Sequence, residues 1–304
     1  MFYELDLLVW GFHNEWTYYE HHPEIVGTQT ASSIHLTSFV ILAAIATVFG
    51  VPVNSDCNCN LITDKRYPLT EPIVKYRIGI VSDLDEKSKS SIESSTWISY
   101  FKKGYLTYKP DTKEVFIEWD NSPIPDLLKS HDSVNDRGAE LSELVTYDAK
   151  LITVDDKTGW VYLIEKNNNL TNWVKLNNGD GNTNKEMKNE WATVKDSKLY
   201  VGSHGRELVN GQDIDYSYMW VKTIDKLGNV EHLNWKDNFI KIRKAVNIEY
   251  PGYMAHEAVE WSDIHKRWFF LPRKISEEQF DDSADEQKGT NVLLSATSDF
   301  EDIK

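Results

Sequence analysis

Hydrophobic and polar positions change their pattern once along the chain. Leu36–Val53 (LTSFVILAAIATVFGVPV) is an eighteen-residue, mostly apolar run without a formal charge. Beyond residue 60 the apolar positions come instead in runs of five or six, separated by polar turns, with little sustained helical periodicity. Such runs are Tyr76–Val81, Gly104–Tyr108, Glu114–Trp119, Lys150–Val154, Gly159–Ile164, Lys198–Gly202 and Arg267–Leu271. Their β-branched and aromatic side chains predict strands. Turn-formers between paired runs, as in Lys109-Pro110-Asp111-Thr112 and Asp155 to Gly159, predict hairpins. The hairpin units beginning at Gly104, Lys150 and Lys198 recur at 46 and 48 residues, the spacing of four-stranded blades in a β-propeller. A β-sandwich would show similar hairpins without the long-range repeat.

The division that follows is a tail over 1–33, a signal-anchor or signal-peptide-like hydrophobic helix over 34–54, a linker over 55–72 and a β domain over 73–304. Eighteen apolar residues reach the lower limit for a membrane-spanning helix. A signal-peptide core would be shorter and follow a basic region, whereas residues 1–60 contain no Lys or Arg. The first bases, Lys65 and Arg66, lie on the C-terminal side and taken alone would keep the β domain in the cytosol. Asn169-Leu170-Thr171 is a glycosylation sequon, used only on a lumenal or extracellular domain. The expectation is a secretory-pathway protein, membrane-anchored in the Golgi or ER lumen or extracellular.

With 33 basic and 48 acidic residues the net charge is −15, which excludes a nucleic-acid grip driven by charge. Cys57 and Cys59 are too close in sequence to pair without strain, and no zinc-ligand set surrounds them. The chain has no P-loop, no G-x-G-x-x-G and no G-x-S-x-G. Carboxylates concentrated in turns suggest a hard cation such as calcium, which takes six to eight oxygens. EF-hand loops fail, because Lys185 and Glu286 stand where the loops starting at Asp180 and Asp281 need glycine. What remains are acids in apolar surroundings: Asp83, Asp85, Glu140, Glu143 beside Ser142, Glu190 and Glu257. Taken singly, each also reads as a salt-bridged or solvated acid at a strand end.

Together the blocks IGIVSDLDEKS, TWISYFKKGYLTY, RGAELSELVTYDAKLITVDDKTGWVYLI, EWATVKDSKLYVGSHGRE, PGYMAHEAVEWSDIHKRWFFLPRK and GTNVLLSATSDFEDI resemble the calcium-activated nucleotidase (apyrase) family. The resemblance implies an all-β, five-bladed propeller with one Ca2+ in its tunnel, hydrolysing nucleoside di- and triphosphates such as UDP, GDP, ADP and ATP to the monophosphate. Carried over by position, it implies calcium ligands at Ser142, Glu190 and Glu257, and catalytic carboxylates at Asp83 and Asp85. Lys103, Arg137 and Arg273 then match positions suited to phosphate charge. Trp97, Trp119 and Trp160 are candidates to stack on the base, or equally core aromatics of propeller strands. A His-Gly-Phe-Ser-Ser-Phe-like block and a closing Glu-Gly-Ile-Glu-like strand of the family have no counterpart before Lys304, so about four blades are expected. The competing expectation is a non-catalytic propeller that binds a nucleotide or a protein partner; a homodimer is compatible with either.

Overall fold

A computed structural model describes the backbone of Leu42–Ile45 together with residues 73–121 and 124–304. Four blades are arranged as a β-propeller, as the repeat predicts. The first blade joins β1 (Leu42–Ile45), β2 (Val74–Asp83), β3 (Trp97–Lys109) and β4 (Glu114–Trp119) in that order, with β5 (Asp126–Ser130) also paired to β3. The second is a meander of β6 (Leu141–Tyr147), β7 (Lys150–Asp155), β8 (Trp160–Ile164) and β9 (Leu170–Lys175). In the third, β10 (Trp191–Lys195) and β11 (Lys198–Gly202) are followed by a separate hairpin of β12 (Leu208–Asn210) and β13 (Asp213–Asp215). The blade then closes with β14 (Trp220–Ile224) and β15 (Val230–Asn234). Helix α1 (Lys236–Lys244) leads to the fourth blade, β16 (Tyr253–Ser262), β17 (Arg267–Ser276) and β18 (Leu294–Thr297).

Strands β2, β6, β10 and β16 pack side by side in sequence. Apolar positions alternating along them fill the clefts between blades, because each strand sends every second side chain to one face. Val81, Phe101, Leu128, Leu141 and Leu144 fill the first cleft. Ile152, Val161, Ala192, Val201 and Ile224 fill the second. The third is aromatic, with Trp191, Trp235, Trp261, Trp268 and Phe270. Trp191 is fully buried and donates its indole N–H to the Ser203 carbonyl at 3.0 Å. Its ring lies against Gly202, where an added Cβ would sit 2.0 Å from the ring. Gly202→Ala is therefore expected to destabilise the fold by about 3 kcal/mol, the upper end of ordinary overpacking, measurable as a lower urea midpoint.

The apolar N-terminal run departs from the expectation of a helix over 34–54. Leu42–Ile45 are extended and pair antiparallel with Ile80–Asp83 of β2. The free edge of β2 offers unpaired backbone groups that a strand satisfies and a helix does not. The rest of the 1–33, 34–54 and 55–72 segments lies outside the described residues. Among the described residues no helix is long and apolar enough to cross a membrane.

Candidate functional site

Three consecutive blades each bring one of the expected calcium ligands to the first strand of its sheet. The β6–β7 ladder pairs Leu141 with Asp155 and then Glu143 with Val154, so Ser142 is left over as the extra residue of a bulge. The β16–β17 ladder shifts between His256 and Ala258 and leaves Glu257 in the same way. Bulges free a residue from strict alternation and re-aim its side chain. Glu190 immediately precedes β10 and is anchored by its own N–H to the Gly202 carbonyl at 2.9 Å.

The end of β2 supplies a second group of acids. Asp83 is its last residue and is buried; Asp85 follows in a left-handed conformation (φ 48°) that turns its N–H back onto the Asp83 carboxylate at 2.8 Å. Oxygens of Asp83, Asp85 and Glu140 lie within 4.8 Å of one another. Arg137 forks onto the fully buried Glu140 at 2.6 and 2.5 Å and reaches Asp85 at 2.8 Å. Such bidentate, charge-assisted pairs fix geometry as well as charge. Burial, reinforced by the charges of Asp156 and Asp85, pushes the Asp83 carboxyl up to about 9. Burial also pushes Glu140 up to about 7 against the opposing pull of Arg137.

Asp156 connects the two groups. In the Asp155-Asp156 doublet the first carboxylate is consumed locally, accepting from the N–H groups of Ala139, Lys157 and Thr158. The second accepts from Lys188 Nζ at 2.6 Å through Oδ2, while its buried Oδ1 finds no hydrogen-bond partner among the described residues. Lys188 Nζ also reaches Glu190 at 2.5 Å. Burial pushes Glu190 up to about 8, despite the opposing charge of Lys188. Glu257 is ion-paired with Arg273 of β17. Beside Asp83, five further carboxyl groups (Asp85, Glu140, Asp156, Glu190, Glu257) are thus served directly by three cations, Arg137, Lys188 and Arg273. The raised values of Asp83, Glu140 and Glu190 express that deficit of positive charge together with burial.

An apyrase family model matches residues 84–304, from the turn beside Asp83 to the last residue of the fourth blade. The chain belongs to the apyrase family. It is 44% identical over 245 residues to an "Apyrase" of Cimex lectularius, covering 78% of this chain and 67% of that protein. It is also 44% identical over 244 residues to "Soluble calcium-activated nucleotidase 1" of Rattus norvegicus, with 78% and 60% coverage. The "Apyrase apy-1" of Caenorhabditis elegans is 39% identical over 249 residues, with 81% and 68% coverage. The chain therefore spans roughly two thirds or less of the length of these apyrases.

Not every residue expected at an apyrase site joins the acid cluster. Lys103 pairs in register with Gly79, four residues before Asp83 on β2, which is about 13 Å along a strand. Its ammonium is engaged by Asp126 at 3.0 Å and Asn168 at 3.1 Å. Trp97 is buried with its indole N–H on the Asp136 carbonyl at 3.1 Å, so its faces serve the core rather than a base. Trp160 lies beside Tyr162 with ring centroids 6.3 Å apart. Trp119 stands 40% exposed on the outer edge strand β4. Asn169 is exposed in the hairpin between β8 and β9. Asp156 and Lys188 escaped the sequence reading. The only signal for Asp156 was the acidic doublet of a hairpin turn, and for Lys188 its place two residues before Glu190.

Proposed function

We propose that this chain is a calcium-dependent apyrase, cleaving the terminal phosphoanhydride of nucleoside di- and triphosphates, UDP, GDP, ADP and ATP, to the monophosphate and inorganic phosphate. One observation carries the reading: six carboxyl groups are gathered with three cations, and a buried carboxylate oxygen of Asp156 is left without a hydrogen-bond partner among the described residues. The donors are all oxygens, drawn from three consecutive blades, a set that suits calcium and would not suit a soft metal. Ser142, Glu190 and Glu257, with Asp156 beside them, would hold the ion. Calcium, when bound, supplies the positive charge that balances phosphate oxygens as the anhydride breaks.

The chain's own residues supply the rest. Arg137 and Arg273 each present a guanidinium already oriented by a carboxylate, which suits the fork geometry of phosphate oxygens. Asp83, ionised, accepts a proton from the water whose oxygen attacks the terminal phosphorus; the anhydride oxygen departs with the nucleotide. The Asp85 N–H holds the Asp83 carboxylate in one orientation. Support for nucleotide chemistry comes from the names of the relatives, one of which is called calcium-activated. Glu190→Gln and Glu257→Gln are each expected to raise the calcium concentration for half-maximal phosphate release by about tenfold or more, since ligand charge tunes calcium affinity. Wild-type calcium titrations in both variants would reject the ligand assignment.

We place the protein in the secretory pathway because the sequon at Asn169 sits on an exposed hairpin. Expressed through that pathway, it should lose apparent mass on glycosidase treatment, and Asn169→Gln should run at the deglycosylated position from the start. An unshifted wild-type band would remove the support for a lumenal or extracellular domain.

A further inference from the structure

Lys188 differs from the other two cations of the site in how it is held. Its Nζ lies between two carboxylates from different blade segments, 2.6 Å from Asp156 and 2.5 Å from Glu190. Those carboxylates are almost inaccessible, with side chains 7% and 5% exposed, whereas the lysine side chain is 40% exposed. The ammonium therefore sits between two buried carboxylates at the end of a partly exposed stem. Beside it one acceptor oxygen of the pair, the buried Asp156 Oδ1, has no hydrogen-bond partner among the described residues. The pair offers four carboxylate oxygens to an ammonium with three donors, and would suit a cation of higher coordination number.

A lysine ammonium is a compact point charge on a flexible four-carbon stem, unlike a guanidinium fork locked to one partner. Arg137 is tied down by three hydrogen bonds to Glu140 and Asp85, and that fork has little freedom to move. Lys188 is held only through its terminal ammonium, and its partly exposed four-carbon stem can rotate to carry that ammonium off the carboxylates.

Resting on the calcium-dependent reading above, we propose that Lys188 is a resident counter-cation for Asp156 and Glu190 that a divalent ion displaces, and that the released ammonium becomes a binding residue for the substrate's phosphate. Calcium entry would then do two things at once: fill the carboxylate pair, and turn a lysine that had been neutralising the protein into one that neutralises the nucleotide. Calcium and nucleotide would bind with positive coupling, and each would tighten the other by the same factor.

The direct test is the accessibility of this one amine in the 304-residue chain. Trace reductive methylation with peptide mass spectrometry reads Lys188 without calcium, with calcium, and with calcium plus a methylene-bridged nucleoside diphosphate that cannot be hydrolysed. The expected order is slow, then severalfold faster, then slow again. Calorimetry on the same samples measures coupling: calcium should tighten the analogue by about tenfold or more in the wild type, the scale of one charge-assisted contact. Lys188→Met should lose most of that coupling while still binding calcium, and Lys188→Arg should restore part of it. Calcium binding with unchanged Lys188 labelling would overturn the proposal and leave a structural ion pair. Labelling that rises with calcium but is not suppressed by the analogue would overturn the phosphate role. A flat calcium titration in the wild type would instead overturn the calcium-dependent reading on which the proposal rests.

Discussion

Asp83→Asn is expected to lower phosphate release from UDP and ADP about 10³-fold at saturating calcium and nucleotide, with KM changed no more than a few-fold; general-base catalysis contributes about 10²–10⁴-fold. The amide retains an oxygen to accept from the Asp85 N–H and is nearly the same size, so the turn after β2 survives the change. Only the proton acceptor is lost. In the cation-free protein Asp83 sits near 9, raised first by burial and then by Asp156 and Asp85. It is therefore protonated at neutral pH until positive charge arrives, and wild-type turnover should rise with pH as Asp83 releases its proton. The residual activity of the variant should lack that rising limb. A kcat within tenfold of wild type would remove Asp83 from the chemistry.

The second large effect is on stability. Asp83 (about 9), Glu190 and Glu143 (about 8 each) and Glu140 (about 7) all sit above the ordinary carboxyl range, with burial the first cause in each. The folded protein therefore binds more protons than the unfolded chain between about pH 4 and 9, and this contribution to stability is lost as pH rises through that window. Two buried histidines have the opposite sign. His256 is held down to about 3 and His204 well below its ordinary value, both first by burial, so their contribution is lost as pH falls below about 6.5. Calcium-free protein should thus lose stability as pH rises from 6 to 8, by about 1.4 kcal/mol per pH unit for each acid that stays protonated only in the folded state, read as a falling Tm. Calcium held by these acids, as proposed, would take the place of their protons, so it should raise Tm more at pH 8 than at pH 6. Equal shifts at the two pH values would mean that the ion binds away from these acids.

The outer parts of the blades were legible in the sequence because their strands carry aromatic and β-branched residues and their hairpins carry turn-formers. Lys150–Val154 and Lys198–Gly202 mark the second strands of the second and third blades. The first strands were harder to see. β6 reads LSELVTY and β16 reads YMAHEAVEWS, so polar groups delivered to the site interrupt the alternation that identifies a strand, and the bulges at Ser142 and Glu257 shift its phase. Position along the chain gave Ser142, Glu190 and Glu257 through family resemblance alone, without showing that Lys188 and Arg273 occupy the two carboxylates. Burial explains the remaining differences. Trp97 packs in the core between strand ends, and Lys103 finds Asp126 across the β3–β5 pair. Neither partnership has a local signature. The Asp155-Asp156 doublet separates into one acid that closes a turn and one that faces the site only once the backbone of the β7–β8 hairpin is fixed.

The most direct measurement is inorganic phosphate release from UDP, GDP, ADP and ATP by the 304-residue chain, first with calcium, then with a chelator in excess, then with calcium restored. The carboxylate cluster predicts turnover that is abolished by the chelator and recovered on re-addition. Release that is the same with calcium and with chelator, or no release under any of the three conditions, would contradict it.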